Sequence, residues 1–158
     1  MQHHFSKVND ERLVILIVDD SELIMEKMIG LLEDKDHIRI IIQASSYPEA
    51  ALLIDEIQPD IVLMDIVLRE RTGIELLRSM HDKYRGSMLP VILTNHAGPH
   101  YRDACRKLGA HYFFDKSNEF EQVPVLIYEI YTRDKNNLTQ QPPPGHVHFE
   151  VNHRNENQ

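Results

Sequence analysis

The side chains that can do phosphorus chemistry recur at one kind of place. Asp19 and Asp20 follow the apolar run Leu13 to Val18, Asp65 follows Ile61 to Met64, Thr94 follows 88–93, and Lys116 follows 111–115. Short apolar, β-branched runs of this kind read as strands buried on both faces. Each polar group therefore stands at a strand end, and none falls within a strand. In a parallel sheet all strand C-termini face one way, onto the rim where open α/β folds place their ligands. Groups far apart in sequence then gather on that rim.

The residue types narrow the chemistry. Three carboxylates within a few ångströms repel one another unless a cation joins them. Oxygen-only ligands favour Mg²⁺ over zinc, and Mg²⁺ keeps waters and bridges to phosphate. A carboxylate is also a nucleophile toward phosphorus, giving an acyl phosphate. Asp65, at the end of the most central run, is the candidate nucleophile. Lys116 offers a point charge for phosphoryl oxygens, and the Thr94 hydroxyl offers one hydrogen bond. The chain has no Gly-x-x-x-x-Gly-Lys-Ser/Thr loop to cradle a nucleotide, so the phosphoryl donor is expected to come from outside.

Positioning such a rim requires strands that alternate with helices, and the pattern supplies them. Ser21 can N-cap a helix over 22–34, whose Ile24, Met25, Met28, Ile29, Leu31 and Leu32 form one broad apolar stripe. That stripe suits core packing, and its margin suits docking of a partner four-helix bundle. A second strand is expected over Ile38–Ala44 and a helix over Tyr47–Ile57, with Pro48 tolerated in the first turn. After Asp65 comes a loop containing Gly73, then a helix over 74–84. A helix over 98–108 with Gly109 as its cap and a last helix over 118–133 complete the series. Cys105 reads as a packing residue of the fourth helix. Strand and helix thus alternate to give a mostly parallel sheet with helices on both faces and right-handed crossovers. The chain is too short for a closed eight-stranded barrel of about 250 residues.

Composition bounds the function class. Of 158 residues 42% are apolar, enough for a core. The 17 basic and 25 acidic residues leave a net charge of −8, which argues against a nucleic-acid footprint. No apolar run approaches the ~20 residues of a membrane span, and no secretory leader is evident. One cysteine, Cys105, forms no internal disulfide, so a cytoplasmic location is expected. Residues 1–12 read as a flexible segment, 13–134 as the domain, and 135–158 as a disordered tail rich in Pro, Asn and Gln. The tail histidines His146, His148 and His153 have no fixed geometry that would make them a metal site.

Val18-Asp19-Asp20-Ser21, Met64-Asp65, Gly73, Leu93-Thr94 and Phe113 before Lys116 together resemble the response-regulator receiver domain of two-component signalling. The resemblance implies a flavodoxin-like, five-stranded parallel sheet in the order 2-1-3-4-5. It implies that Asp65 is the phosphoacceptor, Asp20 a direct Mg²⁺ ligand, and Asp19 the acid that holds metal-bound water. It makes the Val67 backbone carbonyl a further ligand, Thr94 the switch hydroxyl, Lys116 the phosphate-binding lysine and Phe113 the switch aromatic. The implied partners are a sensor histidine kinase or a histidine phosphotransfer protein, and a downstream protein. A stand-alone receiver is expected, with self-phosphorylation and autodephosphorylation as its only chemistry rather than enzymatic turnover.

The sequence departs from the family's habits at three points. Arg69 stands where proline is frequent, and Ser117 replaces the proline after the lysine, so the preceding bond is expected to be trans. Asn95 and His96 are bulkier than the usual residues beside the switch hydroxyl, and a phosphorylated state that is not short-lived is expected from their restriction of attacking water. Two other classes use similar parts. A haloacid-dehalogenase-type Mg²⁺ phosphohydrolase also carries an aspartyl nucleophile, but on its first strand in an Asp-x-Asp pattern. A pseudo-receiver keeps the fold as an interaction module and is never phosphorylated.

Overall fold

The structure is a computed structural model that describes residues 10–133. The 135–158 tail with its histidines, and all but the last residues of the 1–12 segment, lie outside the described residues. The chain alternates β1 (Leu13–Val18), α1 (Glu22–Leu32), β2 (Ile38–Ala44), α2 (Tyr47–Ile57), β3 (Ile61–Met64), α3 (Gly73–Tyr84), β4 (Leu89–Thr94), α4 (Pro99–Lys107), β5 (Tyr112–Asp115) and α5 (Gln122–Arg133). All strand pairs are parallel, in the order β2-β1-β3-β4-β5. The flavodoxin-like order expected from the sequence is the observed one.

Strand alternation builds two cores from one sheet. Ile15, Ile17, Leu63, Val91, Tyr112 and Phe114 face α1 and α5, where Met28, Leu32 and Ile127 meet them. Leu16, Val18, Met64, Ile92 and Phe113 face α2, α3 and α4, against Ile54, Leu77, Met80 and Cys105. Both faces are covered, which is why the central strands are apolar at every position rather than at alternate ones.

Local chemistry sets the element ends. The side chains of Ser21, Ser46 and Thr72 accept the backbone N–H of Ile24, Glu49 and Glu75, capping α1, α2 and α3. Pro99 occupies the first turn of α4, where its missing N–H costs nothing. Pro90 sits within β4, yet β5 begins its pairing opposite Val91, so the proline precedes the doubly paired stretch.

The last helix begins at Gln122, not at residue 118 as the pattern predicts. Asp115 explains the difference. Its carboxylate accepts from the Ser117 backbone N–H and the Asn118 side-chain amide, while Glu119 Oε1 accepts from the Asp115 N–H. These local bonds hold 116–121 in turns that compete with the first helical turn. Among the described residues no peptide bond is cis, the one before Ser117 included.

Candidate functional site

The rim forms because backbone bonds align the strand ends. The Asp19 N–H donates to Ala44 O, Asp65 N–H to Val18 O, and Lys116 N–H to Thr94 O, at 2.8–3.1 Å. Asp19, Asp65, Thr94 and Lys116, separated by up to 97 positions in sequence, thereby meet.

Asp65 is buried and both its oxygens are engaged. Oδ1 accepts from Thr94 Oγ1 at 2.7 Å and from the Val67 N–H at 3.2 Å. Oδ2 lies 2.7 Å from Lys116 Nζ. The same ammonium lies 2.7 Å from Asp19 Oδ2, and the three side chains are no more than 9% exposed. One lysine is thus shared between two buried carboxylates. Asp19 Oδ1 also accepts from the Ser21 N–H at 2.9 Å, which ties the acid to the start of α1.

The electrostatics follow from burial. Desolvation pushes the Asp19 carboxyl above its ordinary value, against the opposing pull of Lys116. Burial alone lowers the Lys116 pKa, but the hydrogen bonds that its ammonium donates to Asp19 and Asp65 outweigh it and hold it above its ordinary value. The cluster is an ion triad with a surplus negative charge, and Asp20 beside it adds another.

Asp20 is half-buried and lines a cavity with Asp19, Glu22, Glu26 and Glu49, between α1 and the end of β2. Val67 lies on the loop after β3 with its side chain exposed. An all-oxygen, net-negative donor set suits a hard divalent cation. Among the described residues, no three carboxylate, imidazole or thiolate groups converge on one point as a finished metal cage. The Lys116 ammonium, wedged between Asp19 and Asp65, supplies the counter-charge in this arrangement.

Phe113 lies one layer below the rim, fully buried on the α4 side of the sheet, whereas Tyr112 and Phe114 face α1 and α5. Thr94 already points at Asp65, and its Oγ1 accepts the His96 N–H at 3.2 Å. Two features escaped the sequence reading. Ser117 Oγ donates to Asn95 Oδ1 at 3.3 Å, tying the loop after β5 to the loop after β4. Arg102 of α4 is buried, with its guanidinium 5.0 Å from the Phe113 ring centre. Helical spacing held a signal for the second: Arg102 precedes Cys105 by three residues, on the same face of α4.

A sequence profile described as the response regulator receiver domain matches residues 15–128. The transcriptional regulatory protein YdfI of Bacillus subtilis is 30% identical over 128 residues, covering 81% of this chain and 58% of its own length. Protein PilH of Pseudomonas aeruginosa is 35% identical over 79 residues, 50% of this chain and 64% of its own. The chain thus spans less than two thirds of either relative. Among solved structures, a CheY-like response regulator receiver domain protein from Methanospirillum hungatei JF-1 superposes with a TM-score of 0.69 at 25% identity. That match covers 77% of this chain and 94% of the other.

Proposed function

Because the chain belongs to the response regulator receiver family, we propose that Asp65 accepts a phosphoryl group from a phosphohistidine on a sensor kinase or phosphotransfer protein. The observation that carries this reading is the bracketing of one buried carboxylate by Lys116 on one oxygen and Thr94 on the other. An Asp65 oxygen attacks phosphorus in line, the N–P bond of the donor breaks, and the imidazole nitrogen leaves with the electron pair and takes up a proton. The product is an aspartyl phosphate. Lys116 moves its charge onto the new phosphoryl oxygens, and Thr94 turns its hydroxyl from the carboxylate to one of them.

Asp19, Asp20, Asp65 and the Val67 carbonyl would hold Mg²⁺, which would neutralise charge on the transferring phosphoryl group. Leu23, 66% exposed on α1 next to this rim, suits docking of a helical phosphodonor. Phosphorylation then biases Thr94 and Phe113 and repacks the face formed by α4, β5 and α5, which a downstream protein reads.

The test is incubation with Mg²⁺ and acetyl phosphate, followed by intact mass. One phosphoryl mass is expected on the wild type, none on Asp65→Asn, and none when Mg²⁺ is chelated. A wild type that gains no mass and binds no Mg²⁺ is a pseudo-receiver, and the proposal fails.

A further inference from the structure

Arg102 is the one charged side chain buried within α4, at 7% exposure. A guanidinium removed from water is costly unless its donors and its face find partners. Here Nε donates to the Ala97 carbonyl at 2.8 Å and the guanidinium carbon lies over the Phe113 ring, 5.0 Å from its centre, while Nη1 is buried without a hydrogen bond among the described residues. The Arg102 backbone N–H also donates to Gly98 O at 3.1 Å, so side chain and main chain both hold the loop between β4 and α4.

That loop carries the Thr94 hydroxyl's neighbour. His96 N–H donates to Thr94 Oγ1, which donates to Asp65 Oδ1. A continuous set of contacts therefore runs from Asp65 through Thr94, His96 and Ala97 to Arg102 and Phe113. If Phe113 swings away from its buried site, the guanidinium loses its aromatic face. If the loop moves, it loses the Ala97 carbonyl.

We propose that Arg102 is a positioning residue of the switch, holding Phe113 and the loop after β4 in the inward arrangement before any phosphoryl group is bound. This rests on the reading of Thr94 and Phe113 as the switch pair. It extends that reading, because the phosphoryl group then deepens a bias that the chain already has instead of creating it.

The experiment is fluorine NMR of the full chain labelled with fluorophenylalanine, the Phe113 signal being assigned through Phe113→Leu. Spectra are recorded first without any phosphoryl analogue. Wild type is expected to show Phe113 in one inward environment. Arg102→Met keeps an apolar stem of similar reach and removes the charge and donors. It is expected to populate a second, outward environment. The inward-to-outward ratio should fall several-fold, up to about thirtyfold, the range of a desolvated cation–π contact. Adding Mg²⁺ and beryllofluoride, a phosphoryl mimic, should return the variant's ring to the inward signal.

Arg102→Lys keeps the charge over the ring but loses the Nε bond to Ala97, and a smaller shift of the same sign is expected. It also decides the matter if circular dichroism shows that Arg102→Met does not fold. An unchanged Phe113 signal in the folded variants overturns the proposal. So does a wild type that already samples both environments equally. Failure of wild type to take up a phosphoryl mass sinks the proposed function instead, and leaves the spectra recorded without analogue to judge Arg102 alone.

Discussion

A Cβ placed on Gly73 falls 1.9 Å from the carbonyl oxygen of Asp65. It also falls 2.7 Å from Ile66 Cα, so the start of α3 presses directly on the backbone of Asp65. The Gly73 N–H donates to Ile66 O at 2.8 Å and holds the approach in place. The glycine is needed here for lack of a side chain, since its backbone is not in the left-handed region.

Gly73→Ala must therefore displace either the helix or Asp65. A loss of about 1–3 kcal/mol in urea unfolding is expected, as for other overpacked sites. If Asp65 takes up the phosphoryl group as proposed, uptake from acetyl phosphate should slow at least tenfold with Asp65 shifted, because small misplacements of reacting groups are costly in rate. Uptake at the wild-type rate would show that Asp65 tolerates the move and that the contact does not position it.

Asp20→Asn removes one negative charge from a rim where a single lysine serves two buried carboxylates. Without Mg²⁺ the variant is expected to be more stable than wild type, by about 0.5–2 kcal/mol, a gain typical of relieving strain at a functional site. With Mg²⁺ the order is expected to reverse, because the proposed ion would stabilise wild type more than a variant that lacks one of its ligands. Thermal melts with and without Mg²⁺ measure both. An Asp20→Asn chain stabilised by Mg²⁺ as strongly as wild type removes Asp20 from the ligand set.

Cys105 is fully buried, and burial pushes its thiol up to about 12. Almost no thiolate exists at neutral pH, so the folded chain should resist alkylation. Iodoacetamide at mildly alkaline pH is expected to modify it only after denaturant is added. Rapid labelling of the folded chain, read by intact mass, would contradict the packing of α4 described above.

His37 and His111 link stability to pH. Burial lowers both below the ordinary 6.5, with Lys35 adding to the effect at His37 and Arg106 at His111, while Asp36 opposes it at His37. His37 packs against Tyr128 and Tyr131, with ring centres 5.1 and 5.6 Å away. The fold favours the neutral imidazoles, so the unfolded chain binds more protons. The stability they contribute is complete above 6.5 and is lost as the pH falls through the depressed folded values. Melting temperature should drop between neutral pH and about pH 5, and His37→Gln with His111→Gln should flatten that slope. An equally steep slope in the double variant assigns the acid lability to other groups.

The fold and the composition of the rim were legible in the sequence because both follow from short-range patterns. The ends of β1, β2, α2 and β3 coincide with their apolar runs and caps, since a run that must be buried on both faces has no freedom to start elsewhere. Parallel topology then dictates that Asp19, Asp65, Thr94 and Lys116 share one edge, whatever fills the loops between them. Tertiary structure decided what those groups do to one another. Sharing Lys116 between Asp19 and Asp65 depends on side-chain directions across β1, β3 and β5, which no local pattern encodes. The contact of Gly73 with Asp65 depends on how closely α3 packs against the end of β3. The delayed start of α5 reflects competition between Asp115's bonds and the helix. Arg102 is the sharpest case. Its charge predicts solvent, yet the Phe113 ring and the Ala97 carbonyl, brought together by the sheet, meet it in the interior.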